Sequence, residues 1–414
     1  MITALKNKIN DPNVIRIYLA TLGLGTAYGM AISVIAVFLD ARGYKETAIG
    51  SLAAWFAAGI MVTAIASGYL VSKLSAKVVL VGALFTYATT VALFPFAPGY
   101  GAIAALRFFD GAASVCVWVA SETILLARAR RSIKAFITSI YAMSIAVGYG
   151  AGSGIAYLAA DVLPNERIFL VAGGLTIVTA LFVLFKLDRS SDTHHEEAHE
   201  GAGLAAGERA TFGALVNRIK ASCFATFAYG YFQSSVVLFL PLFMVAEKGI
   251  EPKETRLITL FFAGGMLLAT NFAGRIGDRH GHLLVMRLLA IVGATMIGSF
   301  VWLNGLPAMA VAVFIAGASL ASISPLSLAL QGLQTREYSR ATGVYNAFYA
   351  AGMLLGPPIS SQIFHLHGGG PMLYHLAAIW VAFIVFAQVF RRDDPAAAVN
   401  PVAATAALPT TDQV

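Results

Sequence analysis

The sequence predicts an all-α membrane protein, with twelve transmembrane helices in two six-helix bundles related by pseudo-twofold symmetry. Three observations lead there. Apolar runs of about twenty residues, the length of a bilayer crossing, recur along a chain that is 58% hydrophobic and only 12% charged; soluble domains carry about 25% charged residues. The basic residues gather in alternate gaps between those runs. Glycines of the first half also return in the second at a common spacing.

Polar residues and Gly or Pro punctuate the chain into spans near 14–39, 47–70, 78–97, 102–127, 135–160 and 167–187, then 217–246, 255–274, 283–303, 307–329, 342–366 and 372–390. With the N-terminus in the cytoplasm, the gaps that fall inside hold 21 Lys and Arg, among them Lys73, Lys77, Arg128, Arg130, Arg131 and Lys134. The outer gaps hold 6: Arg42, Lys45, Arg167, Lys248, Lys253 and Arg256. That bias puts both termini in the cytoplasm. The expected location is a plasma membrane, a bacterial inner membrane above all, with the lipid bilayer as the chain's surroundings.

The long polar break falls after the sixth span. The expected organisation is therefore an N-terminal bundle over 1–187, a cytoplasmic linker over 188–216, a C-terminal bundle over 217–390 and a disordered tail over 391–414. His194, His195 and His199 lie in the linker, where nothing holds them in metal-ligand geometry. The halves echo each other: Gly68 and Gly274, Gly111 and Gly317, and Gly150 and Gly356 are each 206 residues apart. A duplication of this kind implies a site between the halves near the membrane midplane.

Composition also excludes. The net charge of +7 is spread as single residues between apolar runs, so a membrane topology accounts for it and no nucleic-acid partner is expected. Cys116 and Cys223 both fall inside spans, against a disulfide framework or a thiolate metal site. Met1 to Asn13 is polar and precedes a full-length apolar run, so no cleavable leader is evident. No G-x-x-x-x-G-K-S/T loop, H-E-x-x-H or G-x-S-x-G sequence occurs. Neither an enzyme, an ATP-driven pump nor a cofactor is expected, and the chain is expected to act as a monomer.

The fourth span carries the chemistry. A charge at mid-membrane costs at least about 2.5–3.5 kcal/mol by insertion scales, so such residues face a cavity or a partner. Arg107, Asp110, Gly111, Ser114, Trp118, Ser121 and Glu122 share one helical face, which reads as the lining of a water-accessible path. Arg107 and Asp110, three apart, face each other on one turn. One reading is an ion pair fixing helix four against its neighbours. The other is an arginine that holds an anionic group or trades partners with Asp110, since its planar fork grips a carboxylate at two points. Glu122 has two readings as well, a proton-carrying carboxylate beside Asp110 or a latch to Lys73 or Lys77. In span seven Ser222, Thr226, Tyr229 and Gln233 form a second polar stripe, and Thr21, Gly25 and Tyr28 a third in span one. Each stripe is either cavity lining or interhelical glue. Span ten adds Ser319, Ser322, Ser324 and Ser327, and span eleven Tyr345, Asn346 and Tyr349. The candidate substrate-binding residues are Arg107, Trp118, Tyr28, Tyr229 and Gln233.

The loop after the eighth span reads Gly274-Arg275-Ile276-Gly277-Asp278-Arg279-His280-Gly281-His282. It resembles the G-x-x-x-D-R-x-G-R signature of the major facilitator superfamily, in the expected place between the second and third helices of a half. Arg107-Phe108-Phe109-Asp110-Gly111 resembles that family's R-x-x-x-G motif, and Gly352 to Pro357 its Gly-Pro motif, displaced from helix five to helix eleven. The stretch RFFDGAASVCVWVASETILL and the loop before Met286-Arg287 look most like the YcaD-like group. In the first-half loop Ser72 replaces the family's Asp and Ser75 its second Gly. The resemblance implies a major facilitator fold and a secondary transporter working by alternating access. It also implies a conformational latch at Lys73, Lys77, Gly274, Asp278, Arg279 and Gly281. The expected function is proton-coupled movement of a small organic solute, amphipathic or anionic, across the plasma membrane, with protons and the solute as partners; a receptor or assembly factor without flux is the alternative.

Overall fold

The computed structural model describes residues 11–128, 134–188, 211–335 and 338–394. Twelve α-helices of eighteen residues or more make up nearly all of them. They are α1 (Pro12–Ala41), α2 (Glu46–Leu74), α3 (Ala76–Leu93), α4 (Tyr100–Arg128), α5 (Lys134–Leu158), α6 (Asn165–Lys186), α7 (Lys220–Lys248), α8 (Leu257–His280), α9 (His282–Ser299), α10 (Leu306–Gln334), α11 (Tyr338–His367) and α12 (Gly369–Val389). Among the described residues, ten helical segments are long and apolar enough to cross a membrane. The remaining long helices, α5 and α11, carry several Gly, Ser and Tyr. Those residues stand where helices touch, as shown below.

The chain boundaries obey local rules. Asp11 caps α1 by accepting from the Asn13 amide at 2.8 Å, ahead of Pro12 in the first turn. Thr211 caps a short helix, Phe212–Arg218, by accepting from Ala214 N at 3.3 Å. The second half therefore becomes helical within the stretch expected to be linker, because a capping threonine precedes an apolar turn. His194, His195 and His199 lie outside the described residues. The start of the expected tail is also ordered: Arg391–Asp393 forms a 3-10 turn, and the Asp394 carboxylate accepts from Leu283 N at 2.8 Å.

Helices α1–α6 pack among themselves, α1 along α5, α2 along α4 and α3 along α4 and α6; in the second half α7 runs along α11, α8 along α10 and α9 along α10 and α12. Glycine permits the closest approaches, as in membrane helix packing generally. A Cβ on Gly111 would lie 2.0 Å from the Phe56 carbonyl oxygen, and one on Gly317 2.3 Å from that of Phe262. A Cβ on Gly59 would lie 2.0 Å from the Phe108 carbonyl oxygen, and one on Gly265 the same distance from that of Phe314. Glycine and partner in each second-half contact sit 206 residues after their counterparts. The third spacing behaves differently: a Cβ on Gly356 would lie 2.5 Å from the Tyr231 carbonyl oxygen of α7, while Gly150 faces the Leu260 and Ala263 side chains of α8.

Two helix pairs join the halves, α2 with α11 and α5 with α8. The hydrogen bonds and ion pairs that described side chains make across them cluster at one end. Lys253 pairs with Asp161. Arg256, 8% exposed, donates to the Ala156 carbonyl and to Asn165 Oδ1. His365 approaches Glu46 at 3.4 Å. At this end, too, the Gly50 backbone abuts Pro357 and Ser361. The opposite end carries Asp11, Asp188 and Asp394, with Arg16 bound to Asp188 at 2.8 Å and Lys220 to Asp393 at 3.1 Å, each pair within its own half.

The α2–α3 and α8–α9 turns show what a replaced glycine costs. Gly281 turns the chain at φ +96°, ψ 134°, and Ser75 makes the same turn at φ +78°, ψ 147°. Ser75 is the only non-glycine residue with positive φ among those described. This region is nearly glycine-only and strains other residues by about 1–3 kcal/mol. Ser75→Gly is expected to raise stability by about 1 kcal/mol, and Gly281→Ser to lower it by a similar amount. Thermal unfolding of the purified protein in detergent measures both; a lower midpoint for Ser75→Gly contradicts the strain.

Candidate functional site: a central cavity beside a buried ion pair

Between the halves lies a cavity of about 210 Å³. Its walls come from both: Thr21, Gly25 and Tyr28 of α1, Arg107, Ser114 and Trp118 of α4, Tyr141 and Tyr149 of α5, Gln233 and Ser234 of α7, Met266 of α8, and Tyr349 and Met353 of α11. Phe56 of α2, Tyr87 of α3 and Phe262 of α8 complete an aromatic lining. Arg107 is the only charged side chain among the described residues that line it.

Helix spacing explains why α4 supplies so much. Arg107, Ser114 and Trp118 recur at seven and four residues, on one side of the helix. Gly111, between them, lets α4 press onto α2, which brings the Phe56 ring under Arg107 with Cζ 4.3 Å from the ring centre. Arg107 donates from Nη1 to Asp110 Oδ2, and both residues are under a tenth exposed. Asp110 Oδ1 is buried without a hydrogen-bond partner. Behind the pair is a second void of about 20 Å³, lined by Tyr28, Tyr87, Thr90, Arg107 and Asp110 among others. That is room for one water, the usual partner of an orphaned buried acceptor. Arg107 thus stands as a wall between a large cavity and a small polar one.

Two tyrosine pairs frame the large cavity. Tyr28 stacks on Tyr149 with centroids 5.6 Å apart, and Tyr229 on Tyr349 at 6.2 Å. Tyr349 Oη donates to Gln233 Oε1 at 3.0 Å. The Gln233 amide is thereby oriented with its N–H₂ free of that bond.

The architecture and the cavity match a known family. Residues 17–220 and 222–411 fit the Major Facilitator Superfamily. The chain belongs to that superfamily. It is 25% identical over 297 residues to an uncharacterized MFS-type transporter of Yersinia pseudotuberculosis, covering 70% of this chain and 72% of that one. It is 22% identical over 348 residues to the uncharacterized MFS-type transporter YcaD of Escherichia coli, covering 83% and 86%. This agrees with the YcaD-like features of α4. Among solved structures, the fold resembles the nucleoside transporter NupG, at a TM-score of 0.71 and 13% identity over 92% of this chain and 99% of that one. It also resembles the human organic anion transporter MFSD10, at 0.67 and 14% over 91% and 100%. The protein is a multi-pass membrane protein of a transporter family.

Against this frame some expected site residues fall together and others do not. Arg107, Trp118, Tyr28 and Gln233 all line the cavity. Tyr229 does not; it is buried behind Tyr349, its ring a backing for the residue that does. Ser222 and Thr226 are fully buried and away from the cavity, so the α7 stripe reaches it only at Gln233; the rest packs between helices. Asp110 sits behind Arg107 and touches the smaller void alone. Glu122 is exposed, twelve residues and so about 18 Å along the helix from Asp110. The expected latch from Glu122 to Lys73 or Lys77 is not formed: Lys77 donates to the Leu187 carbonyl and Lys73 lies 4.8 Å over the Tyr69 ring. In the second-half loop Asp278 approaches His282 of its own turn at 3.3 Å, Arg279 is exposed and Gly274 faces open space.

Tyr87, Tyr141, Phe56, Met266 and Met353 line the cavity and were not singled out by their sequence. Tyr87 and Tyr141 each stand among threonines or serines, a faint signal; the others look like any lipid-facing residue until the halves are assembled.

Removing one partner of a buried ion pair leaves the other charge uncompensated, at about 3–5 kcal/mol. Asp110→Asn is expected to destabilise by that order, and adding Arg107→Gln to restore much of the loss. A double-mutant cycle of unfolding midpoints in detergent reads the coupling. Additive effects would show that the pair is not held as described.

Proposed function

We propose that the protein is a secondary transporter that moves a small organic solute by alternating access, with all twelve long helices crossing the membrane as two duplicated bundles. The cavity is the observation that carries this reading: it draws on both halves, lies between them and is walled at one end by contacts across them. The clamp of Lys253 on Asp161 and of Arg256 on Ala156 and Asn165 belongs to the end that the positive-inside rule assigns to the exterior. The conformation is then closed outside and faces the cytoplasm. The loops of the proposed latch, carrying Lys73, Lys77, Gly274, Asp278, Arg279 and Gly281, fall at the other end. They would engage when that end closes.

Coupling to protons follows from the ion pair. Arg107 faces the cavity and Asp110 the space behind it, so a solute acceptor reaching Arg107 competes with Asp110. A proton on Asp110 balances the charge that the arginine then shares. Glu122 lies nearer the proposed cytoplasmic end and would exchange protons with that side. The fold itself leaves the solute open, since NupG is named for nucleosides and MFSD10 for organic anions.

Two measurements test this reading. In proteoliposomes, an imposed pH gradient is expected to drive solute accumulation, and Asp110→Asn is expected to abolish accumulation while leaving exchange; accumulation that is indifferent to the gradient and to both Asp110→Asn and Glu122→Gln removes proton coupling. For the conformational cycle, a cysteine at Ala53, which lines the cavity from α2, introduced after Cys116 and Cys223 are changed to Ala, is expected to be shielded from an impermeant maleimide outside intact cells. Breaking the clamp with Arg256→Ala and Lys253→Ala should raise its labelling several-fold. Equal labelling with and without the clamp counts against an outer gate.

A further inference from the structure

We infer that the solute is an aromatic weak acid, a flat ring system bearing a carboxylate, and that the cavity rejects organic cations of the same size. The inference rests on the transporter reading of this cavity and deepens it.

The charged group and the side-chain amide that reach the cavity, Arg107 and Gln233, face it as donors. Arg107 gives one N–H of Nη1 to Asp110 and lays its guanidinium over the Phe56 ring, and the same side chain borders the cavity. Gln233 has its carbonyl oxygen occupied by Tyr349, which leaves the amide N–H₂ for a ligand. The Trp118 indole adds another N–H, a donor with no acceptor function. Thr21 and Ser234 give their protons to the Ile17 and Gly230 carbonyls at 2.9 and 2.7 Å, so they meet the cavity with neutral acceptor oxygens and no charge. No Asp or Glu is among the described residues of the lining. A cationic ligand would meet a guanidinium and no carboxylate. An acid meets a fork that grips two oxygens at once.

The walls select the rest of the molecule. Tyr28 on Tyr149 and Tyr349 on Tyr229 are both near-parallel stacks, 27° and 25° between planes, one in each half. Tyrosine rings brought to the cavity by both halves, Tyr28 and Tyr149 from one and Tyr349 from the other, suit a flat aromatic body, since offset stacking adds about 0.5–1.5 kcal/mol beyond area burial. The asymmetry orients the ligand. Charge exists only on the α4 side, because position 313 of the second half, 206 residues after Arg107, is Val313. The carboxylate therefore points at Arg107 and the ring toward Tyr349 and Met353.

The test uses three probes, each ionised at neutral pH: the anions 2-naphthoate and acetate and the cation 2-naphthylmethylamine. Thermal unfolding and tryptophan fluorescence of the intact purified protein report binding, which stabilises by mass action. Saturable stabilisation by 2-naphthoate alone is expected. The double variant Arg107→Gln with Asp110→Asn, which keeps the site neutral and foldable, is expected to weaken 2-naphthoate at least tenfold. Gln233→Leu should weaken it less. The inference is overturned if the amine binds as well as the acid, if acetate matches 2-naphthoate, if the double variant binds unchanged, or if none of the probes binds. Flux separates this from the transporter reading. Binding of 2-naphthoate without movement into proteoliposomes sinks transport and keeps the chemistry; movement of a cation with no 2-naphthoate binding does the reverse.

Discussion

A guanidinium and a carboxylate one helical turn apart, both shut away from solvent, are the constraint on which the rest of the molecule depends. Neither Arg107 nor Asp110 is tolerable alone in a hydrocarbon setting, and each limits what can surround the other. The Phe56 face lies against the guanidinium, and Tyr28 and Tyr87 border the voids on both sides of it. The arrangement needs α2 to lie unusually close to α4, and glycine makes that possible. Gly111 and Gly59 remove the two Cβ atoms that would hold the helices apart. The site therefore begins with a missing side chain rather than with a functional one.

The same glycine contacts recur in the second half at Gly317 and Gly265, yet the charges do not. Packing demands are identical in the two halves, because α8 and α10 must approach as closely as α2 and α4. The demands of the cavity are met once, by α4. A chain built this way keeps its scaffold repetitive and its chemistry one-sided. The turns follow a similar logic. The α2–α3 turn keeps the backbone path of its glycine-bearing counterpart even though Ser75 is strained by it. Geometry outlasts the residue best suited to it.

The cross-half contacts explain why one end is shut. Arg256 is buried and bound to a helix-end carbonyl and an amide, whereas the ion pair of Lys253 with Asp161 and the approach of His365 to Glu46 are largely solvated. Exposed pairs are worth at most about 1 kcal/mol. The seal thus draws mainly on Arg256 and on backbone packing at Gly50, with the outer charges adding little.

The sequence by itself determined the class of fold and the place of its charges. Apolar run length, the sidedness of Lys and Arg and the 206-residue spacing are one-dimensional signals, since a bilayer reads a chain segment by segment. The helical face of Arg107, Ser114 and Trp118 was legible for the same reason: 3.6 residues per turn is a local rule. Only the tertiary structure decided which polar residues share a space. Tyr229 and Gln233 lie on one stripe of α7, but the approach of α11 puts Tyr349 in front of the first and leaves the second open. Glu122 shares a face with Asp110, but helix rise sets them about 18 Å apart. Lys77 could have reached an acid and found the Leu187 carbonyl instead. Which face meets a cavity depends on what another helix covers, and that is settled by packing between segments hundreds of residues apart.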